Sequence, residues 1–82
     1  MAESWEEAKA RGNESFKSKQ WDDAISAYTA ALAAGPPAVD QATLLANRAA
    51  AALKKEDWSM AVEDATACLT LDADNVKALF RR

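Results

Sequence analysis

Residues 21 to 32, Trp-Asp-Asp-Ala-Ile-Ser-Ala-Tyr-Thr-Ala-Ala-Leu, return 37 positions later as Trp-Ser-Met-Ala-Val-Glu-Asp-Ala-Thr-Ala-Cys-Leu at 58 to 69. Trp21/Trp58, Ala24/Ala61, Thr29/Thr66, Ala30/Ala67 and Leu32/Leu69 are identical pairs, and Ile25/Val62 and Ala31/Cys68 are matched in size. Self-similarity at a period of this size marks a repeat architecture, in which each unit buries its apolar face only by stacking on a neighbour. The chain must therefore fold as an array.

Both copies have the apolar spacing of a helix: Ala24, Ile25, Tyr28, Ala31 and Leu32 in the first, Ala61, Val62, Ala65, Cys68 and Leu69 in the second. Each set is expected to form a buried face. A further helical segment precedes each copy. The earlier runs from Ser4 to about Lys19, with Ser4 and Glu7 spaced as a capping box. Gly12 inside it predicts a close approach of another helix, because glycine costs a helix interior about 1 kcal/mol against alanine. The later segment spans about Asp40 to Lys55 and carries Leu44, Leu45, Ala49, Ala52 and Leu53. Gly35-Pro36-Pro37 separates the two halves, and Asp72-Ala73-Asp74 can cap a last helix from about Asn75 onward. Five helices follow: a pair, a pair and half a pair.

Composition agrees with an all-α fold. Half of the 82 residues are apolar, but alanine supplies about half of that set, which favours closely packed helices. Two Gly, two Pro and few β-branched residues argue against strands. The formal charge of −3 offers no overall attraction to nucleic acid or anionic lipid, so neither partner is expected and any basic site must be local. There is no His, and the single Cys68 excludes an internal disulfide or a multi-cysteine metal site. Cys68 reads as a small buried hydrophobe. The acidic start and the lack of a long apolar run give no targeting or spanning signal, so a reducing cytoplasmic or nuclear setting is the default.

The spacing of Gly12, Ala24, Tyr28, Ala31 and Pro36, matched in the second unit by Ala49, Ala61, Ala65, Cys68 and Ala73, resembles the tetratricopeptide repeat (TPR). Ala73 departs from the proline of that pattern, Ala8 stands where it has tryptophan, and Ser15 replaces an aromatic. The extra length of the first period over the family's 34 residues falls in the Gly35 to Asp40 connection, where insertion costs little. The resemblance covers essentially the whole chain. It implies a TPR α-solenoid of about two and a half helix-turn-helix repeats in a single domain, residues 1–82. Repeat one spans about 4–36, repeat two about 40–73, and the first helix of repeat three about 75–82.

In such solenoids the first helix of each pair lines a concave surface. That places Lys9, Asn13, Phe16 and Lys17, then Thr43, Asn47, Ala50 and Lys54, then Lys77 and Arg81, on one groove. Lys9 and Asn13 share a helical face, as do Lys77 and Arg81. Within Lys9-Ala10-Arg11-Gly12-Asn13, Asn47-Arg48-Ala49-Ala50 and Lys77-Ala78-Leu79-Phe80-Arg81, the set Lys9, Asn13, Asn47, Lys77 and Arg81 is similar to the carboxylate clamp of one class of TPR co-chaperones. The ligand that this resemblance implies is the C-terminal Glu-Glu-Val-Asp tail of heat-shock protein 70 or heat-shock protein 90. Within the class, the Asn47 and Lys77 segments are similar to those of myosin-folding chaperones of the UNC-45 type.

The residue types suit that ligand. A chain ending in Asp presents two neighbouring carboxylates, both ionised at neutral pH. Lys and Arg supply charge, while Asn amides add oriented donors without more cation repulsion. Phe16 and Ala50 are placed to receive the tail's apolar side chains, and Lys54 another acidic group.

Two other functions compete with the clamp. A generic TPR scaffold would bind an internal peptide or a partner's helix instead. Alternatively, the chain would be the targeting domain of a larger enzyme such as a phosphatase or peptidyl-prolyl isomerase. The chain itself is not expected to catalyse, lacking a histidine, a nucleophile motif or a Gly-rich phosphate loop, and it implies no cofactor. Asp22-Asp23 and Glu63-Asp64 read as a solvated convex face, Trp21 and Trp58 as packing across their helix pairs, Trp5 as partly exposed and Phe80 as core. The sequence stops inside its third repeat, so apolar surface on the last helices is expected to favour self-association.

Overall fold

The computed structural model describes residues 3–71, which form four α-helices: α1 (Trp5–Lys17), α2 (Trp21–Ala33), α3 (Ala38–Lys54) and α4 (Trp58–Leu71). α1 packs on α2 and α3 on α4 as pairs, and α2 joins the pairs by packing on α3. This architecture is consistent with a TPR-like solenoid. The fifth helix expected over about 75–82, with Lys77, Phe80 and Arg81, lies outside the described residues.

Helix starts follow local chemistry. Ser4 Oγ accepts from the Glu7 N–H at 3.1 Å, and Glu7 Oε1 accepts from the Ser4 N–H at 3.0 Å, completing the expected capping box. Asp57 caps α4 by accepting from the Met60 N–H at 3.2 Å, whereas Gln20, its counterpart before α2, makes no such bond. α3 starts at Ala38, earlier than about Asp40. Pro37 is extended at its cap, and Gln41 Nε2 donates to the Pro36 carbonyl at 2.9 Å.

Helix ends repeat as the sequence does. Lys19 (φ 61°) and Glu56 (φ 65°) both turn left-handed just past the first helix of a pair. In each turn the next residue's N–H reaches back to the helix: Gln20 donates to the Ser15 carbonyl at 2.9 Å, and Asp57 to the Ala52 carbonyl at 2.8 Å. This Schellman geometry satisfies the terminal carbonyls and reverses the chain into the second helix. α2 ends with Gly35 at φ 77°, a conformation that glycine adopts without strain.

One core cluster joins Ala8 of α1, Ala24, Tyr28 and Ala31 of α2, and Leu44 and Ala51 of α3, with Trp5, Phe16, Ile25 and Leu32 packed around it. A second joins Ala42 and Ala46 of α3 to Cys68 of α4, with Leu45 beside it. Cys68 is fully buried, and its thiol donates to the Ala42 carbonyl at 3.2 Å. Alanines dominate both clusters, so helix axes come close and each contact buries little area.

α1 and α2 approach closely at Gly12. A Cβ there would lie 2.6 Å from Tyr28 Cε1 and 2.7 Å from Cδ1, inside any tolerable contact. Gly12 and Tyr28 are thus one packing unit, and the sequence expectation for Gly12 holds.

Repeat two departs from expectation on its outer side. Val62 and Leu69, assigned by periodicity to a buried face, are 66% and 54% exposed, and Trp58 is 58% exposed. Their counterparts Ile25 and Leu32 pack against the cluster that includes Leu44 and Ala51 of the following helix, α3. The position after α4 that would do the same for Val62 and Leu69 lies outside the described residues.

Candidate functional site

The groove expected from the sequence divides between two described helices. α1 carries Lys9, Asn13, Phe16 and Lys17 on successive turns, and α3 carries Thr43, Asn47, Ala50 and Lys54 at helical spacing. Lys9, Thr43, Asn47 and Ala50 are half-buried, while Asn13, Lys17 and Lys54 are exposed. The Lys77 and Arg81 part of the set lies outside the described residues.

α2 ties the two helices together through adjacent residues. Tyr28 Oη donates to Asn13 Oδ1 of α1 at 2.7 Å. Thr29 Oγ1 accepts from Arg48 Nη1 of α3 at 3.0 Å, while donating to the Ile25 carbonyl at 2.7 Å. Asn13 and the Asn47-Arg48 step are therefore both held to one turn of α2.

Arg48 also spans to α4. Its Nε and Nη2 donate to Asp64 Oδ2 and Oδ1, both at 2.7 Å, in the bidentate arrangement favoured by guanidinium and carboxylate. The Asp64 side chain is 5% exposed and that of Arg48 20%. The pairing, chiefly the hydrogen bonds that Arg48 donates to Asp64, raises the Arg48 pKa above its ordinary value. Asp64 does not belong to a solvated convex face, as its sequence neighbourhood implied; only Glu63 beside it is exposed. Periodicity could not reveal this, because the partner lies on another helix.

Cations divide into two groups. Arg11 is bound to Glu3, with Nη2 to Oε1 at 2.7 Å and Nε to Oε2 at 3.0 Å, and the hydrogen bond to Arg11 holds the exposed Glu3 carboxyl below its usual range. Arg48 is bound to Asp64, and Lys55 to Asp22. Lys9, Lys17 and Lys54, all projected onto the groove, form no ion pair with another described residue, and neither does Lys19 at the α1–α2 turn. Among the described residues, Lys9, Lys17 and Lys54 thus have no acidic partner, whereas Arg11, Arg48 and Lys55 are committed to intramolecular acids.

Phe16 is only partly turned to the groove. Its ring meets Trp21 edge-on, with centroids 5.0 Å apart and planes at 71°, and it packs on the core cluster. Trp21 accordingly packs across its helix pair as expected, while Trp58 is largely exposed. An open depression of about 430 Å³ at the α1–α2 turn, lined by Lys19, Gln20, Trp21, Asp22, Asp23 and Lys55, contains none of the groove residues. Among the described residues no cluster of acidic or cysteine side chains is arranged to hold a metal ion, and no helix is long and apolar enough to cross a membrane.

The chain is similar to sperm-associated antigen 1 of Mus musculus, 45% identical over 74 residues that make up 90% of this chain and 8% of that protein. It is 40% identical over 77 residues to the mitochondrial import receptor subunit TOM70 of Homo sapiens, covering 92% of this chain and 13% of the receptor subunit. Against protein unc-45 homolog B of Xenopus tropicalis it is 39% identical over 74 residues, 90% of this chain and 8% of that protein. The chain therefore spans 8 to 13% of the length of these curated relatives. No family model matches it, and neither does any solved structure.

Proposed function

We propose that this chain is a TPR-type protein-interaction module that holds the acidic C-terminal Glu-Glu-Val-Asp tail of heat-shock protein 70 or heat-shock protein 90 in a two-carboxylate clamp of Lys9, Asn13, Asn47, Lys77 and Arg81. The observation that carries the reading is the division of cations. Lys9, Lys17 and Lys54 are without acidic partners among the described residues, while Arg11, Arg48 and Lys55 are paired elsewhere. A surface that keeps its lysines unpaired beside asparagine donors suits an anionic partner.

The relatives fit a chaperone partner. The UNC-45 likeness of the sequence returns in unc-45 homolog B, and TOM70 is by its name a subunit of an import receptor. In this reading the module binds and does not catalyse, and it works in the cytoplasm. Charge-assisted hydrogen bonds contribute about 1.5–3 kcal/mol each, so several of them reach micromolar affinity, near −8 kcal/mol, after ordering costs.

Isothermal titration with a peptide ending in Glu-Glu-Val-Asp tests the clamp. The free C-terminus should bind and its amidated form should not. Equal affinity for the two would sink the clamp in favour of a scaffold for internal peptides.

A further inference from the structure

We infer that Tyr28 is a positioning residue for the ligand carboxylate, acting through Asn13: its hydroxyl occupies Asn13 Oδ1 and so turns the Asn13 Nδ2 hydrogens toward the groove. The inference rests on the clamp reading above and assigns part of its specificity to a residue on α2, a helix that lines none of the projected groove.

An asparagine amide has one acceptor end and one donor end of nearly equal size. Left to itself at an anion site, it presents either. The acceptor end would repel a carboxylate, and only the donor end can bind it. The bond from Tyr28 Oη to Asn13 Oδ1, 2.7 Å long, removes this ambiguity. Tyr28 is 2% exposed and its hydroxyl has Asn13 as its hydrogen-bond partner. Rotating the amide would make Tyr28 Oη an acceptor from Asn13 Nδ2 and leave the buried hydroxyl proton without its acceptor. Burial also pushes the Tyr28 pKa above its ordinary value, which keeps the hydroxyl a donor across the neutral range.

Gly12 is the third member of the unit. The Cβ of any other residue would meet the flank of the Tyr28 ring at 2.6 Å, so the ring that carries the hydroxyl, or the helix behind it, would have to shift. The second repeat supplies an internal comparison. Thirty-seven positions on from Gly12, Asn13 and Tyr28 stand Ala49, Ala50 and Ala65. Where the asparagine is absent, the tyrosine and the glycine are absent with it.

A double-mutant cycle tests the inference on the intact chain, using Tyr28→Phe, Asn13→Ala and the double variant. Each is titrated with the peptide ending in Glu-Glu-Val-Asp and with its amidated form, and circular dichroism checks that each remains folded. Tyr28→Phe is expected to weaken the free-carboxylate peptide five- to tenfold, to shift the Asn13 side-chain amide resonances in NMR spectra, and to cause no further loss once Asn13 is alanine. Unchanged or tighter binding by Tyr28→Phe would overturn the inference, as would an equal loss in the Asn13→Ala background, which marks a general packing effect. If the wild-type chain itself fails to distinguish the two peptides, the clamp reading falls and the role of Tyr28 with it. Discrimination by wild type with an unaffected Tyr28→Phe removes the role of Tyr28 alone.

Discussion

Arg48 and Asp64 form a two-bonded ion pair, both bonds 2.7 Å, between the two helices of the second repeat, and the same guanidinium reaches Thr29 in the first. A single side chain thereby touches three helices next to Asn47. Its planar fork supplies the geometry, and the near-complete burial of the carboxylate makes the bond matter.

Asp64→Ala should therefore destabilise the fold by about 3 kcal/mol, because it leaves a partly buried guanidinium without its partner. Urea unfolding followed by circular dichroism measures this. Asp22→Ala, which breaks the exposed pair with Lys55, should leave the unfolding midpoint essentially unchanged.

Lys19→Gly and Glu56→Gly should each stabilise the chain by about 0.5–1 kcal/mol, since a side chain at positive φ is strained and the Schellman turn is best served by glycine. The greater freedom of glycine in the unfolded chain offsets part of the gain. Thermal melts of the two variants and their combination would show additive increases; a decrease in either would contradict the strain argument.

Alkaline stability should report on Tyr28, the chain's one tyrosine. Burial raises its pKa in the folded state, so the unfolded chain loses the phenolic proton first. Stability is full below the ordinary tyrosine value near 10 and falls as pH rises through the raised folded value. Urea midpoints collected across this range should decline more steeply for wild type than for Tyr28→Phe.

Lys77→Ala and Arg81→Ala are each expected to weaken the free-carboxylate peptide more than tenfold, and Lys9→Ala to weaken it as well. Lys55→Ala should leave it unchanged, since Lys55 is engaged by Asp22. Added salt should weaken binding throughout, because mobile ions screen the attraction between a cationic site and an anionic ligand. Salt-independent titrations would contradict a charge-dominated groove.

Much of this was legible in the residues. The 37-residue echo, the capping box at Ser4, the break at Gly35-Pro36-Pro37, the burial of Cys68 and the close approach at Gly12 all follow from local propensity and spacing. The placement of Asp64, Val62, Leu69 and Trp58 was not legible. Each was assigned from its own helix: Arg48 on another helix binds the buried Asp64, while Val62, Leu69 and Trp58 are exposed although Ile25 and Leu32, the counterparts of the first two, pack against a core cluster that spans three helices.

By itself, then, the sequence determined the four described helices and their division into repeats, because these depend on interactions within a few turns of chain and on its internal echo. Only the tertiary structure decided, among the described residues, what Asn13 bonds to and which acid is buried. Those outcomes turn on hydrogen bonds between residues 15 and 16 positions apart, Asn13 with Tyr28 and Arg48 with Asp64, whose distances exist only once the helices have packed.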